Sequence, residues 1–279
     1  MIKRIKNVPR IISGVVVILI TTIVVLFPIY WMACTSFKNE SDIFKLPPEI
    51  IPSKFTWENY GTALTKTPIP AFFFNTAINV AGTLVISLVC ASMAAYAISR
   101  FKFRLKLPYL GIILISQMLP LITLIVPLYI ILGNLKMFNN RLVLIFVYSA
   151  LLIPISTWLF LGYINTIPRE IDEAARIDGC TNLMILFRII VPLSKPGLMA
   201  VGLNIAITVW QELILAMTLT SLDAYRPLMA GVSAAITKAG VRWGQMTATG
   251  VITCIPILII YIFCQRYLIR GLTGGAVKG

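Results

Sequence analysis

Six long apolar runs, five of them free of any charge, decide what this chain can fold into. They cover residues 11–33, 71–99, 107–132, 142–168, 198–222 and 243–265, and the lone charge inside them is Glu212. Roughly 20 apolar helical residues cross a hydrocarbon core, and every run reaches that length. The chain therefore reads as all-α, a polytopic helical membrane protein. Composition agrees: 58% of the 279 residues are hydrophobic and only 12% charged, against about half and a quarter in a soluble domain. A formal charge of +14 would suggest nucleic acid in a soluble protein. Here the basic residues stand between the apolar runs, where topology signals belong, so a nucleic-acid partner is excluded.

The first run follows Lys3, Arg4, Lys6 and Arg10 and has the polarity of a signal peptide. It is longer than the roughly 7 to 15 apolar residues of such a peptide and ends in bulky Tyr30, Trp31 and Met32, so it is read as a retained first span. The fourth run exceeds what a span needs, and its helix is expected to end near Ile164. The connection over residues 35–70 is too short and too rich in proline to form a domain. Six spans put both termini on one side of the membrane. Fifteen Lys and Arg residues fall on that side, Arg100, Lys102, Arg104 and Lys106 among them, against nine on the other; the basic side is cytoplasmic.

Missing residues exclude chemistry. There is no histidine, hence no Ser-His or Cys-His pair, no imidazole ligand and no histidine proton relay. Cys34, Cys90, Cys180, Cys254 and Cys264 never stand at a C-x-x-C spacing, and packing accounts for them. No aspartate pair lies in the membrane, and no G-x-x-x-x-G-K-[ST] loop is present to hold a nucleotide. The expectation is a non-enzyme with no catalytic residue, metal or cofactor. Any ATP that powers it is bound by another subunit.

Residues 165–196 carry the most information. Thr166 suits an N-cap, Pro168 a first turn, and Glu170, Asp172 and Glu173 favour the positive end of a helix dipole. Gly179 ends that helix, and a second short helix can start at Thr181 and run to Pro192. Glu173-Ala174-Ala175, three residues, Gly179, nine residues, Ile189, one residue, then Val191-Pro192 closely resembles the EAA loop of permease subunits in ABC importers. Alanines at 174 and 175 would keep one helix face low enough to seat in a groove of a partner, with Glu173 as a fixed charge and Gly179 as a sharp turn.

The resemblance extends along the chain. Phe55-Thr56 and Glu58-Asn59-Tyr60, the segment Ala94 to Phe101, Pro120 with Pro127-Leu128-Tyr129, and the terminus from Gln265 to Gly279 are similar to the smaller permease of maltose-type carbohydrate importers. Val209-Trp210-Gln211-Glu212 departs from that family's usual Trp-Asn-Glu or Trp-Asn-Asp. The resemblance implies a type I ABC importer permease fold in the cell membrane. A cytoplasmic segment at residues 1–10 would precede a six-helix domain at 11–268, which includes a coupling loop at 165–197, and a cytoplasmic tail would occupy 269–279. It further implies a second homologous permease, two copies of a cytoplasmic ATP-binding subunit, an extracytoplasmic solute-binding protein and a sugar substrate. ATPase coupling falls to Glu173, Ala174, Ala175, Gly179, Ile189 and Pro192, and a tail at the ATPase interface to Gly271, Leu272, Thr273, Gly274 and Gly275. The glycine- and alanine-rich connection at 225–245 corresponds to a loop that reaches into the binding protein. A membrane scaffold that docks ATPases without conducting is the alternative reading.

Three polar residues within spans remain. Glu212, fourteen residues beyond Leu198, stands roughly 21 Å along a continuous helix; it serves either as a hydrogen-bonded link between permeases or as a sugar contact. Asn75 and Asn79 share one helix face and are candidates for facing the second permease or the pathway.

Overall fold

The computed structural model describes residues 8–239 and 242–276, with side chains over 13–234 and 242–263. The N-terminal Lys3, Arg4 and Lys6 and the last three residues lie outside that description. Helices account for all regular structure among the described residues: α1 Val8–Ser36, α2 Glu40–Ile43, α3 Glu58–Thr65, α4 Ile69–Arg100, α5 Lys106–Met118, α6 Leu121–Asn134, α7 Arg141–Ile164 and α8 Glu170–Ile177. They continue as α9 Asn182–Leu193, whose residues Ile185–Ile190 wind as a π-helix, then α10 Lys195–Trp210, α11 Ile214–Leu219, α12 Leu228–Ala239 and α13 Trp243–Ala276. Four helices are long and apolar enough to cross a membrane, and the number rises to six if each of two bent pairs counts as one span. Those pairs are α5 with α6, bent by 94°, and α9 with α10, bent by 84°.

Two compact units divide the chain. One combines residues up to Thr67 with Ala235–Ile255. In it the connection after α1 is pinned by polar bonds: Lys38, 2% exposed, donates to the Glu49 carbonyl at 2.5 Å and lies over the Trp31 ring. Asn59 donates to the carbonyls of Ser36 and Lys38 at 2.9 and 2.8 Å. The Glu40 carboxylate accepts from the amides of Trp243 and Gly244 at 2.8 and 3.1 Å, satisfying orphan donors at the start of α13. The carbonyl and the aromatic face offset part of the cost of burying that charge.

The other unit holds Pro68–Ala234 with the chain from Pro256 onward. Its core is the pairing of α4 with α7, and α10 packs against both. Phe72, Ala91, Ala95 and Ile98 of α4, Leu144, Tyr148 and Phe160 of α7 and Val201, Ile205 and Val209 of α10 are all buried. Lipid tails are as apolar as leucine, so membrane helices associate through close packing at small residues. Gly82 illustrates this, since a Cβ there would stand 2.7 Å from Ile145 Cδ1. Gly197 and Gly231 sit directly against the rings of Tyr163 and Phe72, where a Cβ has no room.

The structure corrects three expectations and adds one observation on the tail. The apolar run at 107–132 is two helices, because Pro120 supplies no amide and the chain bends at Leu119–Pro120. The run at 198–222 breaks between Trp210 and Ile214. Residues 225–245 contain the helix α12 rather than forming only a loop, and Gly231 serves its packing on Phe72. Helix α13 continues through Ala276, so Gly271, Leu272, Thr273, Gly274 and Gly275 have helical backbone.

Candidate functional site

The segment between α7 and α10 forms a surface feature with a buried root. Helix α8 starts after Arg169, and no side chain caps it. The Thr166 hydroxyl donates instead to the Tyr163 carbonyl at 2.7 Å, ending α7, so the expected cap lies one element too early. Three acids in the first turn, Glu170, Asp172 and Glu173, stabilise that bare N-terminus through the helix dipole. Gly179 ends the helix at φ +84°, a left-handed conformation costly to any residue with a Cβ, and the Cys180 amide donates back to the Ala175 carbonyl at 2.9 Å. Thr181 then caps α9, its hydroxyl accepting from the Met184 amide at 3.3 Å.

The two faces of this helical pair differ. Glu173, Ala174, Gly179 and Pro192 are exposed and Ile189 is half-buried. Apolar Ile177 is 87% exposed, and Leu183 and Phe187 also stand open. Ala175 turns the other way and is buried, as are Ile185, Leu186 and Ile190. Of the two alanines, then, only Ala174 keeps the outer face low; Ala175 lets α8 lie close to its own chain.

Asp172 shares the inner face with Ala175 and forms an ion pair with Arg100, Oδ2 to Nε at 3.0 Å, both side chains under 5% exposed. The Arg100 Nη2 donates to the Ile167 carbonyl at 3.0 Å. Arg169 Nη2 donates to the Ser99 carbonyl at 2.8 Å, and the Ser99 hydroxyl to Asn165 Oδ1 at 2.7 Å. The end of α4 and the root of the loop are thereby tied by four polar links around one buried pair of charges. From the sequence alone, Arg100 reads as a topology signal and Asp172 as a dipole partner. The available clue was helical: Asp172 lies three residues before Ala175 and shares its face.

Glu212 is not within a continuous helix. It sits in the break after α10, where its Oε1 accepts from the Leu215 amide at 2.7 Å and its Oε2 from the Ala216 amide at 3.0 Å. The buried Tyr148 hydroxyl donates to Oε2 at 2.8 Å. The carboxylate thus caps α11 and ties it to α7. It also lines a cavity of about 180 Å³, together with Ser116, Gln117, Tyr148 and Thr208 and a set of leucines.

Asn75 and Asn79 face inward. Each is 1% exposed; Asn75 donates to the carbonyls of Ala224 and Arg226 at 3.0 and 2.9 Å, fixing the turn before α12. Both lie within the packing of this chain. The side chains of Gly271 to Gly275 lie outside the described set.

Residues 87–274 match the family described as binding-protein-dependent transport system inner membrane component. The chain is 32% identical to the sulfoquinovosyl glycerol transport system permease protein SmoH of Agrobacterium fabrum, over 91% of this chain and 89% of that one. It is 33% identical to the trehalose/maltose transport system permease protein MalG of Thermococcus litoralis, over 94% of each. A diacetylchitobiose uptake system permease protein of Streptomyces coelicolor, DasC, is 32% identical over 91% and 92%. Among solved structures, a chain of a bacterial ABC transporter involved in import of the polysaccharide alginate shares the fold, with a TM-score of 0.84 at 23% identity over 94% of this chain and 97% of that one. The matched span, with its EAA segment held on a buried Arg100–Asp172 pair, places this chain in the family of binding-protein-dependent transport system inner membrane components.

Proposed function

We propose that this chain is one of two homologous permease subunits of an ATP-driven importer and forms half of the pathway for a saccharide. Six spans leave both termini in the cytoplasm, counting α5 with α6 as one bent span and α9 with α10 as another. ATP is hydrolysed by two copies of a separate cytoplasmic subunit, and a solute-binding protein delivers the ligand from outside. The observation that carries this reading is the two-faced loop at 165–197. Its outer face offers Glu173, Ala174, Ile177 and Phe187 to the ATPase, and its inner face is locked to α4. A displacement of the docked loop therefore moves α4, and α4 is packed on α7 and α10. Packed helices respond as discrete bodies rather than by continuous deformation. The saccharide class is supported by the printed names of the relatives, which cover glycosides and oligosaccharides, and by a solved neighbour in complex with an alginate pentasaccharide-bound periplasmic protein.

The test is purification of the tagged chain from its native membrane, followed by reconstitution. The expected result is recovery of a second permease and an ATPase, with ATP hydrolysis stimulated by the loaded binding protein and saccharide accumulating in vesicles. An ATPase recovered without a second permease, and without import, would instead establish the non-conducting scaffold.

A further inference from the structure

Two breaks in the helical frame meet at one place. The α5–α6 bend at Leu119–Pro120 and the α10–α11 break at Gln211–Leu213 both border the cavity of about 180 Å³ that Glu212 lines. Gln117 lies eleven residues past the start of α5, about 17 Å along that helix, and Glu212 follows the end of α10, whose 16 residues span about 24 Å. Non-helical backbone at such depth is tolerated only inside protein or against a water-filled space, and broken helices frame binding sites in transporters.

The side chains say what that space accepts. Gln117 and Thr208 are exposed within largely apolar spans, and an amide or a carboxylate facing lipid would be costly. The Gln117 amide has no hydrogen bond to any described residue, which leaves two donors and an acceptor open. The hydroxyls of Ser116 and Thr208 donate to the carbonyls of Ile113 and Asn204 at 2.7 and 2.8 Å, so their oxygens still accept. Glu212 Oε2 already takes two donors, whereas Oε1 takes one and keeps a lone pair. The wall is thus rich in acceptors, carries one amide, and has neither Lys nor Arg among its lining residues. Hydroxyl groups satisfy such a surface by donating to it. A carboxylate or sulfonate on the ligand would meet Glu212 with nothing to neutralise it.

Resting on the permease reading, we propose that Ser116, Gln117, Thr208 and Glu212 form a contact subsite for the hydroxyls of a neutral saccharide in transit. The test uses the whole reconstituted complex with its binding protein, and labelled maltose, trehalose, N,N′-diacetylchitobiose and an alginate disaccharide as probes. In Gln117→Leu and Thr208→Val, import of the neutral probe carried best by the wild type should fall about fivefold or more, while recovery of the second permease and basal ATP hydrolysis stay unchanged. A Gln117→Cys variant, in a chain whose native cysteines are replaced, should react more slowly with a charged thiol reagent when that probe is present. Unchanged import, absence of protection, or import of the alginate disaccharide by the wild type would overturn the subsite. So would loss of the second permease from the variants, which would make the strip a subunit contact. A wild-type complex that imports no saccharide at all would overturn the permease reading itself, and the subsite with it.

Discussion

Arg100 and Asp172 illustrate how one pair of residues links two parts of the chain that hydropathy treats as separate. Both charges are buried, and a buried ion pair adds little net stability over an apolar substitute while punishing the loss of either partner. What the pair contributes is a fixed geometry, because neither charge can leave the other without facing an apolar surround. Asp172→Asn leaves Arg100 uncompensated and should destabilise the chain by about 3 to 5 kcal/mol, read as a loss of membrane-inserted protein on quantitative blots. The exchange Arg100→Asp with Asp172→Arg restores opposite charges but not the donation from Arg100 to the Ile167 carbonyl. That double variant should recover abundance in part and still consume more ATP per saccharide imported. Equal abundance in single and double variants would show that the pairing has no structural role.

At the scale of elements, the question is how a six-residue helix such as α11 persists beyond a break. A helix that short is not stable on its own, and its first amides have no intrahelical partners. Glu212 supplies the missing acceptor for two of them and holds the buried Tyr148 hydroxyl as well. Glu212→Leu removes all three bonds, and loss of the cap alone typically costs about 1 kcal/mol; the thermal midpoint of the purified complex should drop. Glu212→Gln keeps a carbonyl oxygen in place and should lie between Leu and the wild type, and a Leu variant as stable as the wild type would refute the capping role. The elements themselves were legible to different degrees. Apolar runs gave α1, α4 and α7 within a few residues, because length and hydropathy decide insertion. Turn chemistry gave Gly179 and Thr181 directly. The breaks stayed hidden, since one proline or one glutamate lowers the mean hydropathy of a long window too little to end an apolar run. Asn75 could not be placed either, as its acceptors Ala224 and Arg226 stand about 150 residues away.

For the whole molecule, the proposed function requires the loop at 165–197 to move with an ATPase on one face while the rest of the chain stays intact on the other. The division of its residues suits that demand. Ala175, Ile185, Leu186 and Ile190 are buried and Asp172 is paired, whereas the side chains of Glu173, Ile177 and Phe187 are exposed and form no hydrogen bond or ion pair with the described residues. Surface substitutions away from caps and buried networks usually change stability by less than about 0.5 kcal/mol. Glu173→Lys, which also loses a dipole interaction of about 0.3 to 1 kcal/mol at the start of α8, should therefore reach the membrane in nearly wild-type amounts and Phe187→Asp in wild-type amounts; both should still recover the second permease. They should lose the ATPase, because the first reverses a charge at the seat and the second places a carboxylate in what becomes a desolvated apolar contact. A tenfold fall in recovered ATPase corresponds to about 1.4 kcal/mol of docking free energy, well within what one misplaced charge at an interface removes. Ligand-stimulated hydrolysis in the reconstituted complex should fall with it. The charge-exchanged Arg100 and Asp172 chain is expected to differ in kind, holding its ATPase normally and hydrolysing ATP without matching import. If both classes of variant instead lose the ATPase equally, the inner face of the loop is part of the docking surface rather than the link that carries its motion to α4.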